Sequence, residues 1–129
     1  MPAGKRPSNL GVREGRLAPC PGKPNCVCSQ DESSKHRIEA LTFTDTPQAA
    51  MLRLKEILAN MPRTTLIDEQ EGYLYFECKS KIMGYVDDLE FHCEPVEKVI
   101  HVRSASRIGY SDLGVNRKRV EAIRQKFRV

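Results

Sequence analysis

The feature that most constrains this chain is a set of four short segments within residues 64–106 in which apolar and polar residues alternate. They read TTLIDEQ, GYLYFECK, YVDDLEFHC and KVIHVRSAS, and a period of two is typical of a strand with one buried face. The first two are separated by Glu71-Gly72 and the last two by the four residues 94–97. Parallel strands need a crossover of a dozen or more residues, so these short connections predict an antiparallel meander and exclude an all-parallel sheet.

The residues before the meander predict one strand and one helix. The segment RIEALTF, residues 37–43, alternates like a short strand. Thr46 followed by Pro47 is a typical helix start, because Thr can cap the free N–H groups and Pro fits the first helical position. Apolar residues then recur at spacings of three and four. We expect a helix over 47–60, ended by Asn60 and Pro62.

A second helix is predicted at the end of the chain, opening near Asp112 or Gly114. Its apolar stripe is expected to be buried and consists of Val120, Ile123 and Phe127. The element order is then β-α-β-β-β-β-α. This order predicts an α+β fold in which a curved antiparallel sheet of about five strands carries two helices on one face. The order is similar to a half-repeat of the TATA-binding-protein-like fold, a likeness of topology that carries no inference about DNA binding.

The first 35 residues differ from the rest of the 129-residue chain, since they hold five of its eight Pro and four of its eight Gly. They show no periodic apolar pattern and predict an irregular arm that packs on the core. We therefore expect an arm over 1–35 and a single α+β domain over 36–129, because a second independent core would be too small to be stable.

Charge and hydropathy exclude several classes of protein. A charged fraction of 29% beside 40% apolar residues argues against a disordered chain. No stretch reaches the roughly 20 apolar residues of a membrane helix, and the N-terminus lacks the apolar region of a signal peptide. The sequence as written therefore predicts a cytoplasmic protein; a trimmed sequence would leave a periplasmic or membrane-associated one open.

Five cysteines leave at least one thiol outside any intramolecular disulfide. Cys78 and Cys93 lie in strand-like patterns and are expected to be buried. Cys20, Cys26 and Cys28 lie in a Pro/Gly-rich loop, where free thiols, a Cys20–Cys26 disulfide, or a zinc site completed by His36 are all compatible with the spacing. The zinc interpretation is the weakest, because a second short cysteine pair is absent. We expect no metal and no other cofactor.

The register of the meander places acid–base residues on its second face. With Pro95-Val96 as the turn centre, Phe91 would face Ile100 and Leu89 would face Val102 on the core side. On the other face, which we expect to be open, Glu90 would pair with His101 and Asp88 with Arg103. Cross-strand charge pairs of this kind usually stabilise a sheet. An enzyme using His92, His101, Asp88 and Glu90 as acid–base groups is the alternative.

The segment RSASRIGYSDLGVNRKR, residues 103–119, predicts a site for an anion or a partner. Arginine side chains and free N–H groups at a helix start both bind anions. The candidate residues are Arg103, Arg107, Asp112, Asn116 and Arg117. Asp112 is also a natural helix cap and could occupy those donors itself, which favours a structural role for the loop.

Three blocks of the sequence resemble the DUF1499 family of domains of unknown function. The blocks are LGVREGRLAPCPGKPNCVCSQ, YVDDLEF and IHVRSASRIGYSDLGVNRKRVE. The resemblance implies a compact domain and supplies no activity, substrate or cofactor. Cys28 departs from the family pattern, which usually has Ser there. The family-pattern positions are Cys20, Pro21, Pro24, Asn25, Cys26, Gln30, Asp87, Asp88, Arg103, Ser104, Ser106, Arg107, Gly109, Asp112, Gly114, Asn116 and Arg117.

Taken together, the sequence predicts a non-enzymatic binding or interaction module for an anionic small molecule or a protein partner. No pattern of a nucleophile with an adjacent base is visible, which argues against the enzyme alternative. A second alternative is nucleic-acid binding through the C-terminal helix, because residues 114–129 carry a net charge of +5. Nucleic acid is the least favoured partner, since exposed aromatic residues for base stacking are scarce and residues 36–113 carry −4.

Overall fold

The computed structural model describes residues 4–128, so the first three residues of the predicted arm and the last residue of the predicted domain lie outside the described part. Two helices and six strands follow one another along the chain. They are β1 (Cys26–Cys28), β2 (Leu41–Thr42), α1 (Pro47–Ala59), β3 (Thr64–Gln70), β4 (Tyr73–Lys79), β5 (Val86–Glu94), β6 (Val99–Ser106) and α2 (Val115–Phe127).

The strands form one open, antiparallel sheet in the order β1-β6-β5-β4-β3, and β2 also pairs with β6. The predicted α+β class, the meander and the two helices are confirmed. Two details differ from the expectation. Of the predicted strand over 37–43, only Leu41–Thr42 forms a strand, while Arg37 makes an isolated parallel bridge to Cys28. Residues 26–28, expected to be irregular, form an edge strand beside β6.

Both helices pack on the same face of the sheet and enclose the main core. The α1 helix begins where the sequence predicts, because the Thr46 hydroxyl accepts a hydrogen bond of 3.1 Å from the N–H of Ala49. The predicted stripe of α2 is fully or nearly fully buried. The same core contains alternate residues of β4 and β5, which are Leu74, Phe76, Cys78, Leu89, Phe91 and Cys93.

The predicted register between β5 and β6 is wrong by two residues. Phe91 pairs with Val102 rather than with Ile100, and Glu90 pairs with Arg103 rather than with His101. The connection is a four-residue turn over 95–98, in which Lys98 adopts a left-handed conformation with φ of 57°, instead of a two-residue turn centred on Pro95-Val96. Because side chains alternate with a period of two, this shift changes the partners and leaves each residue on its predicted face.

The second face of the sheet, expected to be open, is covered by the N-terminal arm. Leu17 of the arm packs with Cys28, Tyr73 and Tyr75, and all four side chains are buried. Polar groups of β5 and β6 on this face are buried as well, among them Asp88, Glu90 and Arg103. An antiparallel sheet can leave one face in water, but the apolar residues of the arm give this sheet a second buried layer.

Neither helix could cross a membrane within residues 4–128, since each has 13 residues and the hydrocarbon core needs about 20 apolar ones.

Candidate functional site

A buried ion network lies beneath the start of the arm and is centred on Arg107. Its guanidinium donates to both carboxylate oxygens of Asp88 at 2.9 Å and also pairs with Glu77. The hydroxyl of Tyr75 donates to the same Asp88. Burial alone would raise the pKa of Glu77, but hydrogen bonds from Arg6, Arg107 and Tyr75 outweigh it and lower that pKa. The hydrogen bonds to Asp88 and Glu77 also raise the pKa of Arg107. The guanidinium of Arg107 and the carboxylate of Glu77 therefore both stay charged.

Glu90 occupies the middle of the covered face and is fully buried. One carboxylate oxygen accepts hydrogen bonds from the Tyr73 hydroxyl at 2.6 Å and from the N–H of Gly11 at 2.7 Å. The other oxygen lies 3.9 Å from the guanidinium of Arg103. Burial raises the pKa of Glu90, and these donors offset only part of that effect. The carboxylate thus ties the arm to the sheet from inside.

The structure brings together a serine and a histidine that the sequence analysis did not connect. Ser29 Oγ lies 3.0 Å from His101 Nδ1 and accepts a 2.9 Å hydrogen bond from the N–H of Val102. The two residues are 72 positions apart, and no spacing rule links an arm residue to β6. Ser29 is buried and its hydroxyl has a partner on each side, so this pair joins the arm to the sheet.

His101 gives the protein a pH-dependent stability that can be measured. Its pKa is lowered from 6.5 first by burial and then by His92, whose ring stacks on it at 6.4 Å. The other charged groups that act on the ring are Arg16, Glu94 and Glu97. With a lowered pKa, the folded protein binds fewer protons than the unfolded chain just below pH 6.5, so stability should fall as the pH decreases through that value.

We therefore expect the thermal midpoint to drop between about pH 6.5 and 5.5, and His101→Asn to flatten that drop. The comparison variant is His92→Gln, which removes the neighbouring charge and should reduce the slope without abolishing it. Scanning calorimetry over the same pH series gives the slopes. An identical slope in His101→Asn and in the unmodified protein would assign the effect to another group.

The five residues predicted to bind an anion do not converge on one point. Arg103 and Arg107 face the arm, where Arg103 donates to the carbonyl of Pro19 at 3.3 Å. Arg117 is exposed and donates to the carbonyl of Arg37 at 3.0 Å. Asp112 accepts from the N–H groups at the start of α2, those of Gly114 and Asn116. The anion site stays a prediction, but each of these residues already has partners inside the protein.

Asn116 connects the arm, β6 and α2. It is fully buried, and its carbonyl oxygen accepts from the hydroxyl of Ser104 at 2.6 Å and from Arg119 at 2.7 Å. Its amide nitrogen donates to Ser106 and Asp112 and to the backbone carbonyl of Asn25. Burial would raise the pKa of Asp112, but the hydrogen bonds from Asn116 and nearby backbone N–H groups lower it. The side chain thereby holds the loop before α2 in place.

Cys20 and Cys26 form a disulfide in the structure, with Cα atoms 5.6 Å apart. Cys28 is a free, buried thiol whose pKa is raised by burial, as are Cys78 and Cys93. The Nδ1 atom of His36 lies 3.0 Å from the backbone carbonyl of Cys26. This contact occupies Nδ1 within the protein. The burial predicted for Cys78 and Cys93 is confirmed.

The exposed apolar surface is concentrated at one end of the sheet, which we call the loop end. It consists of residues 80–85 between β4 and β5, and residues 107–114 with the start of α2. Five of the seven exposed large hydrophobic side chains in residues 4–128 lie there. They are Ile82, Met83, Tyr110, Leu113 and Val115.

A groove of about 580 Å³ opens between these two loops, and we call it the loop groove. Its apolar walls are formed by Tyr85, Val86, Ile108, Leu113 and Val115. Hydroxyl and carboxylate groups lie among them, contributed by Ser80, Asp87, Ser106, Ser111 and Asp112. An apolar groove of this size with a few polar groups has the features of a ligand site. The sequence showed no signal for it, because its walls come from segments more than 20 residues apart.

Comparison with known proteins shows the family to which this chain belongs. The family described as "Protein of unknown function (DUF1499)" matches residues 16–127, nearly the whole chain. The chain belongs to the DUF1499 family. No curated protein matches it. In this DUF1499 protein, several family-pattern positions that the resemblance marked belong to the hydrogen-bond network described above, namely Asn25, Ser104, Ser106, Asp112 and Asn116.

Proposed function

We propose that this protein is a non-enzymatic binding module whose loop groove takes the apolar part of an amphipathic partner. The observation that carries the proposal is the concentration of exposed apolar side chains around a groove at one end of the sheet. Scattered exposed hydrophobic residues are normal, whereas a contiguous apolar patch with a polar rim marks an interaction surface.

The conformation of Leu113 supports the proposal. Its side chain is 86% exposed, and its backbone is left-handed with φ of 54°. A left-handed conformation is unfavourable for a bulky residue, and an exposed side chain buries little surface in return. Asn or Gly would suit the backbone better. The exposed side chain of Leu113 therefore supports a role in binding rather than in stabilising the fold.

The two alternatives from the sequence have less support. The acid–base groups of the enzyme alternative lie on the face covered by the arm, and Asp88 and Glu90 are bonded to tyrosines and arginines there. For the nucleic-acid alternative, Arg119 and Arg124 of α2 are engaged with Asp87 and Glu121. These pairings reduce the groups available to a substrate or to phosphates.

The proposal can be tested with octyl glucoside below its micellar concentration, a neutral amphiphile with one apolar chain. We expect a saturable titration of backbone amide signals in NMR spectra, confined to residues 80–86 and 107–115. The double variant Leu113→Asn/Val115→Ser should weaken binding by tenfold or more, because removing two apolar contacts costs roughly 2 kcal/mol. Its stability should be retained, since Asn tolerates the left-handed backbone.

The matched control is Val96→Ser, which alters a side chain that is 89% exposed in the turn at the opposite end of the sheet. This variant should bind octyl glucoside like the unmodified protein. Signal changes spread evenly over the surface, or equal losses in both variants, would contradict the proposed site.

A further inference from the structure

The loop end also carries an excess of positive charge that is not neutralised internally. Five cations surround it, and within residues 4–128 none of them forms an ion pair. They are Lys5, Arg63, Lys79, Lys81 and Lys118. Lys5 is at this end because its neighbour Gly4 lies against Ile108. Arg63 is beside Lys79, since the carbonyl of Arg63 accepts from the N–H of Lys79.

Three of the four carboxylates near the loop end, in contrast, are paired with arginines. Glu77 and Asp88 are bonded to Arg107, and Asp87 is bonded to Arg119. Asp112 accepts hydrogen bonds from Asn116 and from the N–H groups at the start of α2. In the described part of the chain, the five unpaired cations outnumber the one carboxylate without an ion pair, that of Asp112, so the loop end is positively charged overall.

The opposite end of the sheet has the reverse character. Its two turns, residues 71–72 and 95–98, contain or adjoin Glu71, Glu94 and Glu97, none of which forms an ion pair within residues 4–128. The turn over 95–98 also holds one cation, Lys98, whose ammonium group donates to the carbonyl of Thr44. Carboxylates therefore outnumber cations at these two turns, which we call the acidic end, whereas the loop end is apolar and basic. A charge distribution of this kind orients a protein in front of a negatively charged surface.

We propose that the loop end docks on an anionic lipid surface, with Ile82 and Met83 entering the headgroup region. This inference rests on the proposed function and names its partner. Apolar side chains and lysines supply the two contributions that peripheral attachment requires, since neither alone holds a protein firmly. Tyr110, exposed on the neighbouring loop, has the amphipathic ring that is favoured at a membrane interface.

The arrangement of the side chains agrees with this geometry. The Cε atom of Lys79 lies beside Gly84, so its ammonium group is carried next to the loop that holds Ile82 and Met83. Lysine can keep its charge at the headgroups while its stem stays among apolar groups. Ile82 is 87% exposed and does not line the loop groove, so its exposure is left unexplained by groove binding alone.

The experiment is flotation of the full chain with two kinds of vesicle: phosphatidylcholine alone, and phosphatidylcholine with about one third phosphatidylglycerol. We expect binding to the anionic vesicles only, reversed by high salt. Lys79→Gln/Lys81→Gln should weaken binding about 25-fold, from about fivefold for each lysine near an anionic surface. Ile82→Ser/Met83→Ser should weaken it by at least tenfold while leaving the octyl glucoside titration unchanged.

Two control variants keep composition and exposure comparable. Val96→Ser removes an equally exposed apolar residue at the acidic end, and Lys126→Gln removes an exposed lysine in the last turn of α2. Neither should change flotation. Equal binding to both kinds of vesicle, or equal losses in Lys126→Gln and Lys79→Gln/Lys81→Gln, would overturn the inference.

The titration and the flotation experiment distinguish failure of the proposed function from failure of the lipid proposal. A protein that titrates with octyl glucoside at the loop groove and does not float with anionic vesicles retains the binding function and loses the lipid surface as its partner. A protein that does neither loses both.

Discussion

Arg107→Met should lower the free energy of unfolding by about 3–5 kcal/mol, because it removes the cation from a buried ion network. Asp88, whose side chain is 1% exposed, would lose both guanidinium hydrogen bonds, and Glu77 would lose its buried partner. Methionine preserves much of the apolar stem, so the loss reports mainly on the charge. Urea unfolding at pH 7 measures it.

The matched control for this prediction is Arg6→Met. Arg6 pairs with the same Glu77, but its side chain is 54% exposed. Water screens an exposed ion pair, so this variant should unfold at nearly the same urea concentration as the unmodified protein. Similar losses in Arg6→Met and Arg107→Met would show that burial does not distinguish the two arginines. The Arg107→Met defect should also shrink at acidic pH, because Arg107 lowers the pKa of Glu77 and the stability gained from that shift is lost as Glu77 protonates.

Asn116→Ala is expected to destabilise the protein by about 3 kcal/mol. The substitution removes the acceptor of Ser104 and the donor to Ser106 in a fully buried position. Each buried polar group left without a partner costs about 1–3 kcal/mol. The amide signals of residues 107–114 should shift as well, because Asn116 also bonds Asp112 and the carbonyl of Asn25.

Asn60→Ala supplies the comparison for Asn116→Ala. The Asn60 amide donates to the carbonyl of Glu56 at the exposed end of α1, so its loss should cost less than about 1 kcal/mol. Chemical denaturation of the two variants side by side gives the difference. Should both lose equally little, the central role of Asn116 would be refuted.

Local patterns predicted the elements well. The Thr46 cap and Pro47 placed the start of α1 at the observed residue, and its end at Ala59 is one residue short of the expected position. The alternation in β5 assigned Leu89 and Phe91 to the core and Glu90 to the other face, as observed. These features depend on spacings of two to four residues, so they are present in the sequence itself.

Features that depend on distant segments were predicted poorly. The β5–β6 register was wrong because the length and conformation of the turn, with Lys98 left-handed, decided it. The second face was expected to be open because the apolar residues of the arm follow no period. The pairing of Ser29 with His101 and the walls of the loop groove join segments that are far apart in the chain.

The alternating segments of residues 64–106 determined by themselves that the chain forms an antiparallel meander, and the two amphipathic stripes determined that helices cover one side of it. Only the tertiary structure decided that the arm covers the other side and leaves the loop end as the exposed apolar surface. The physical reason is the range of the interactions. Hydrophobic periodicity acts over a few residues, whereas burial of Asp88, Glu90 and Arg107 and exposure of Ile82 and Leu113 depend on which distant segments reach them.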